Sequence, residues 1–514
     1  MPLAPRRRRS PEQWGNSRAA RRWPSERVHL GKEGNAMQQP RKVLLLELNE
    51  VNWRVADELV SERGEAYLPN FCKLRSEGAW SVQSAIERPP LLDPWVTWVT
   101  LHTGVRPEVH GASVLEQAAQ TITAKRTWHY ASEAGRTVGI FGSMSAYPPP
   151  PFAGFVVPGP FAPGNETHPP QLEPMQALNR RYTQAHNGTK RPPGALEAVR
   201  SGARLMRMGL RVHTIGKVVA QLVRERFQPQ SRWRRVCLQP ELNFDFFSDL
   251  YRRHRPDFAT WHTNHAAHFM HHYWRAWNDS KFEAKSSPAE RQQFGEAVPV
   301  GYRLCDDLIG RAMKLLDQET ILVVASSMGQ QPFVSERYVD GKIVVRIKDI
   351  DKLLGVLGRQ GIEEVVPTMV PQWNLTVPKP DRRAFVRRQF ESATRQQGEG
   401  PAEQAFAVQE THDQLTITPL GLARNTAPTR YEFTLPSGQR HSAALDEFFA
   451  MDAPTVKQGM HHIDGMLAFF GGGVARGKRM PDCTNLDVAP TLLSLMGIPV
   501  PVAMQGQRLQ PVGA

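Results

Sequence analysis

Asp487-Val488-Ala489-Pro490-Thr491-Leu492-Leu493-Ser494-Leu495-Met496-Gly497-Ile498-Pro499-Val500-Pro501, with Gly506 just beyond, is the stretch on which the fold reading turns. It reads as a short amphipathic helix. Asp487 is placed to cap it, Pro490 suits its first turn, Gly497 stops it and Pro499 forbids its return.

Upstream, apolar runs alternate with helical patterns. Val43 to Leu48 reads as a buried parallel strand ending in Asn49-Glu50. Thr137 to Gly142, Asp257 to Trp261 and Thr320 to Ala325 read as further strands. Helices are expected at about 54–63 and 300–317, and Pro148 to Pro151 mark an exposed loop. Such alternation predicts an α/β fold: a doubly wound, mostly parallel sheet with helices on both faces. Ligands of such sheets sit at the carboxyl ends of the strands. Two stretches break the rhythm. Residues 160–245 read as a helical insertion, and 370–450, rich in Gln, Arg and Thr, as a partly β insertion. The expected organisation is a disordered basic segment over 1–41, core parts at 42–159, 246–369 and 451–514, and the two insertions between them.

With 514 residues, 40% of them apolar, the chain can bury a sizeable core. Cys72, Cys237, Cys305 and Cys483 form no CxxC pair and read as reduced thiols. No apolar run approaches the ~20 residues that span a bilayer. The N-terminus lacks the apolar region of a signal peptide, so a cytoplasmic location is expected.

The net charge of +14 is unevenly placed. Residues 1–36 carry a net +6 and residues 200–235 a net +9, which leaves the rest near neutral. The high charge therefore does not argue for nucleic-acid binding. The first segment is either a disordered basic arm or the product of a start assigned upstream of Met37. The second reads as a basic amphipathic helix, with Leu205, Met208, Val212, Ile215, Val219, Leu222 and Val223 at helical spacing. A solvated helix face and a peripheral contact with an anionic surface, phospholipid or polymer, both remain open for it.

The terminal Gly-Ile-Pro-Val-Pro…Gly run resembles the C-terminal signature of the alkaline phosphatase superfamily, particularly its type I phosphodiesterase and sulfatase-like branches. Thr103-Gly104…Pro107…His110-Gly111 and Leu68-Pro69-Asn70-Phe71…Glu77-Gly78-Ala79 resemble two further elements of that family. The resemblance implies two divalent metals over the sheet edge, with a nucleophile at a helix N-terminus between them.

Position by position, most of the implied ligands are replaced. The Asp that should end the first strand is Asn49, and Glu50 could stand in only if the backbone shifts by one residue. The nucleophile position, nine residues before Thr103, is Pro94, with Asp93 beside it. Asp93 is either a carboxylate nucleophile or a plain helix cap. Thr97, one turn into that helix, is either a site residue or a packing one. The third motif keeps His268 but has Asn264 for its Asp; His265, His268 and His272 share one helical face, at i, i+3 and i+7. The fourth motif has Ser327 and Met328 in place of Asp and His. The fifth, Gly459-Met460-His461-His462-Ile463-Asp464-Gly465, keeps its His as His461.

Two adjacent dications repel by on the order of 4 kcal/mol even in water, so a bimetallic centre without its carboxylates is not credible. At most one divalent ion, zinc or manganese, is expected at Asn264, His268 and His461. Asp93, Glu50 and Thr97 are the candidate catalytic residues. Asn49, Ser327, Gln330 and His265 are the candidate substrate contacts, as a neutral hydrogen-bonding pocket. The resemblance implies a hydrolase or transferase acting on a small phosphate or sulfate ester. The alternative is a non-catalytic binder of a phosphorylated or sulfated ligand. Both require Asn49, Asp93, Asn264, His268, Ser327 and His461 to converge on one crevice.

Overall fold

The computed structural model describes residues 40–113, 121–186, 204–336, 338–339, 342–368, 371–423 and 427–512. The basic arm over 1–36 and residues 200–203 of the second basic segment lie outside the described residues.

The Lys42–Leu48 strand is apolar except at Glu47, and it lies at the middle of an eight-stranded sheet. From one edge the order is Lys478–Arg479, Ala79–Ser81, Leu467–Gly471, Thr320–Ala325, Lys42–Leu48, Phe258–Thr263, Val138–Phe141 and Gly154–Val157. The central strand pairs in parallel with both neighbours, Leu45 lying opposite Thr260 on one side and Val323 on the other. Leu467–Gly471 alone of the eight runs against its neighbours. Helices cover both faces, as continuous apolar strands require. Leu44, Leu46 and Leu48 pack with Phe244, Phe269 and Tyr302. On the other face Val43 and Leu45 pack with Trp98, Trp128, Val488 and Leu492. The expected doubly wound α/β sheet is the fold found.

The closing helix runs Val488–Leu495 and ends at Gly497, whose φ of 70° suits a residue without a Cβ. Asp487 acts differently from a simple N-cap. Its carboxylate accepts from Thr484 N (2.7 Å) and Thr484 Oγ (2.9 Å), closing the preceding turn, and from Gln507 N (2.6 Å), holding the tail. Gly506 fits there because a Cβ would lie 2.0 Å from the Leu486 carbonyl oxygen. All four cysteines are free thiols.

A third core gathers Val345, Leu353, Phe390, Ile417, Tyr431 and Phe449 around two four-stranded antiparallel sheets and the Ile350–Leu357 and Pro380–Ser392 helices. It takes in residues from 345 onward, ahead of the boundary at 370 read from composition. Chain enters it through Lys342–Ile347 and leaves through Phe449–Lys457, and these two strands pair antiparallel. The exit strand leads directly into Gly459–His462, which pairs with Gly329–Pro332 as a two-stranded ribbon, His461 opposite Gln330. That ribbon and the carboxyl ends of the central strands frame the site.

Candidate functional site

The first strand stops at Leu48, and the chain turns so that Val51 N donates to Leu48 O (3.3 Å). Glu50 sits inside this turn at φ 60°, a left-handed conformation that a non-glycine residue adopts only when its surroundings impose it. This turn gives the backbone displacement needed to bring Glu50 inward. Its carboxylate is buried and receives Asn49 Nδ2 (3.0 Å) and Gln330 Nε2. His271 Nε2 lies 3.1 Å from Oε2, and His461 Nε2 lies 3.8 Å from Oε1. Burial pushes the carboxyl up, but the two imidazoles and the Gln330 amide outweigh it and hold it at about 2.

His271 comes from the His265–Trp277 helix and His461 from the ribbon. Each ring is anchored at its other nitrogen: His271 Nδ1 is 3.0 Å from Gly459 O, and His461 Nδ1 is 2.7 Å from Leu92 O. A carbonyl oxygen only accepts, so both Nδ1 atoms carry hydrogen. The Nε2 atoms then face the carboxylate either as bare lone pairs, which repel it, or through a proton or a cation. A backbone carbonyl that takes one ring N–H, leaving the other nitrogen with a bare lone pair, is the usual second-side support of a metal-bound histidine. Glu50, His271 and His461 each offer a donor atom within 4.8 Å of the others, and they form the one such group among the described residues. One carboxylate and two imidazoles suit a single zinc or manganese ion with a coordination position left open. Gly459 permits the close approach: a Cβ there would lie 2.4 Å from Gln330 Oε1 and 2.5 Å from Met270 O.

Asp93 caps the Pro94–Thr103 helix, accepting from Trp95 N at 2.9 Å. Burial raises its pKa; His461 and Lys457 work against the rise and Glu50 adds to it. Lys457, at the end of the exit strand, is shifted down by burial against the pull of Glu50 and Asp93. Two carboxylates, two imidazoles and an ammonium thus share one electrostatic neighbourhood.

The other expected residues are placed as follows. Asn49 receives Trp98 Nε1 on its oxygen (2.7 Å) and donates to Asn264 Oδ1 (2.6 Å). Asn264 therefore serves Asn49 and is not grouped with the histidines. Thr97 and Ser327 are fully buried with their hydroxyls 2.8 Å apart, so neither presents its oxygen to an incoming molecule. Met328 packs with Ala85 and Leu92. Asn49 and Ser327, at two of the replaced ligand positions, thus have their polar atoms taken up by protein partners. Gln330 does face the centre, through Glu50, and also donates to Ala267 O (3.1 Å).

Two of the expected histidines also take other roles. His265 is a core histidine: Nε2 lies 3.0 Å from Gly301 O, Nδ1 lies 2.8 Å from Thr263 Oγ1, and burial lowers its pKa to about 4. His268 is not part of the Glu50 group; its ring lies against His272, with centroids 4.4 Å apart. The histidine that joins His461 is His271, one turn further along. His271 is one of four histidines within eight residues; Lys457 went unread in the sequence, as did a sealed cluster in which Glu47 meets His102 Nε2 (3.0 Å), His262 Nδ1 (3.1 Å) and Ser143 Oγ (2.9 Å).

The model of the family described as Type I phosphodiesterase / nucleotide pyrophosphatase matches residues 55–418, more than half of the chain. The matched span holds Asp93, Asn264, His271, Ser327 and Gln330, while Glu50 precedes it and His461 follows it. No curated protein matches the chain.

Proposed function

Since the chain belongs to the type I phosphodiesterase / nucleotide pyrophosphatase family, a group of phosphoester hydrolases, we propose that it hydrolyses a phosphate ester at a centre holding one divalent ion. The observation that carries this reading is the Nε2 atoms of His271 and His461 aimed at the Glu50 carboxylate while carbonyls occupy both Nδ1 atoms. Zinc or manganese bound there supplies Lewis-acid stabilisation of charge on the ester oxygens.

The protein's own groups divide the remaining work. Glu50 is a weak base and is committed to Asn49, Gln330 and the imidazoles, so it serves as ligand and anchor. Asp93 uses its carboxylate on the Trp95 amide, and burial makes it more basic than an ordinary aspartate. On this reading it takes the proton from an attacking water, which its electrostatic coupling to His461 and Glu50 supports. Lys457 adds positive charge beside the anionic ester. Hydrolysis by a water fits Asp93 better than direct attack, because its carboxylate is held by the Trp95 amide at the helix start.

The test is turnover of aryl phosphate and bis-aryl phosphodiester substrates by purified protein, with and without added zinc or manganese. The reading expects ion-dependent release of the aryl alcohol, reduced ~100-fold or more in Asp93→Asn. No turnover of either substrate with any ion would leave a binder of phosphorylated ligands as the better account.

A further inference from the structure

The Val212–Phe227 helix is folded with its polar side inward. Thr214, Gln221 and Glu225 are its buried residues. Gln221 Nε2 donates to Glu225 Oε1 (2.9 Å) and Ser231 O (3.0 Å), and Arg235 Nε donates to Glu225 Oε1 (2.8 Å). Lys217 pairs with Glu241 on the neighbouring helix. The inner face is thus held by polar contacts, with Ile215 and Val218 partly buried against the core.

The apolar side faces out. Val212 is 76% exposed, Val219 53%, Val223 52% and Phe227 80%, and Leu222 beside them is 51% exposed. Val212, Val219, Val223 and Phe227 are spaced by seven, four and four residues, one line down the helix. Half of the chain's exposed large apolar side chains, counted among the described residues, fall in this segment when Met206 is included. A surface helix normally turns this stripe to the core. Arg224 and Arg226 border the stripe and have no carboxylate partner among the described residues, and Arg232 and Arg234 follow in the next turn.

We propose that this face docks on an anionic phospholipid bilayer, with the valines and Phe227 at the acyl boundary and Arg224 and Arg226 at the headgroups. Charge complementarity selects the occupant. A second copy of the chain would bring the same arginines against each other, whereas an anionic headgroup layer neutralises them. No helix among the described residues is long and apolar enough to cross a membrane, so this contact lies on the surface. The inference does not depend on the chemistry of the Glu50 centre.

Flotation of the full chain with phosphatidylcholine vesicles, with and without about one third phosphatidylserine, tests it. Binding at least ~10-fold stronger to the anionic vesicles is expected, lost at ~0.5 M salt. The Val219→Glu/Val223→Glu and Arg224→Glu/Arg226→Glu doubles should each weaken it ~10-fold or more while melting like the parent, since all four side chains are exposed. Equal binding to both vesicle types, no binding to either, or unchanged binding by the valine double overturns the proposal. So does a wild-type dimer that the valine double dissociates without any vesicle binding, which would give the face to a second copy.

Discussion

Glu47 and Glu50 lie three residues apart, on one strand and the turn that ends it, and each is a buried carboxylate between two imidazoles held at about 2. Their surroundings differ in two ways. His102 and His262 leave 1% and 3% of their side chains exposed, while His271 and His461 each leave 22%. The second difference is which nitrogen is committed. At Glu47, the far nitrogens, His102 Nδ1 and His262 Nε2, meet no hydrogen-bond partner. Two neutral rings can each place their one N–H on the carboxylate, and no cation is needed. At Glu50 the ring hydrogens belong to the Gly459 and Leu92 carbonyls, and the neutral rings would present lone pairs to a negative group. The same trio of one glutamate and two histidines therefore makes a strut in one place and the proposed cation site in the other. The strut ties the first strand to the Pro94–Thr103 helix and the Phe258–Thr263 strand; the cation site opens at the surface.

Substituting the strut gives the largest expected effect. Glu47→Gln removes the charge that both sealed imidazoles serve and forces an amide N–H against a ring N–H. A loss of about 3–5 kcal/mol in denaturant unfolding is expected, and a change below 1 kcal/mol would deny Glu47 its structural role. Acid comes next. Both carboxylates are depressed from an ordinary value of 4.5 to about 2. A depressed carboxyl contributes stability that is complete above its unfolded pKa and is lost as pH falls toward the folded one. Stability should therefore fall between about pH 4.5 and 2, by on the order of 3 kcal/mol per carboxylate, and Glu47→Gln should flatten that fall. An unfolding free energy level across this window would contradict the shifts.

Glu50→Gln should cost on the order of 3 kcal/mol, what its depressed carboxyl contributes, and phosphoester turnover should vanish with it. Retained turnover would move the chemistry elsewhere. The smallest expected effect is that of Asp93→Asn on stability. Asn caps a helix about as well as Asp, so a melting experiment should register less than ~0.5 kcal/mol even where turnover collapses.

The scaffold was legible because its signals are local. Glycine stops, proline starts and apolar runs gave the strands and helices, the Asp93 cap and the Gly459–His462 segment carrying His461. The Glu50–His271–His461 group was only half legible, because it depends on contacts hundreds of residues apart. Counting along the helix put His265, His268 and His272 on one face, but the group is selected by the Gly459 carbonyl, which captures the histidine left off that face, His271. The left-handed turn at Glu50 was needed to bring that carboxylate in, and a strand pattern does not show it. Asn49, Asn264 and Ser327 read as compact, mutually compatible polar groups; that Asn49 bonds Asn264 and Trp98, and Ser327 bonds Thr97, emerges only from their distances.

Metal analysis of purified protein tests the single-cation centre most directly, with His271→Ala and His268→Ala measured beside the parent. The account predicts about one zinc or manganese per chain in the parent and in His268→Ala, and none in His271→Ala. Metal that survives His271→Ala but is lost in His268→Ala would contradict it.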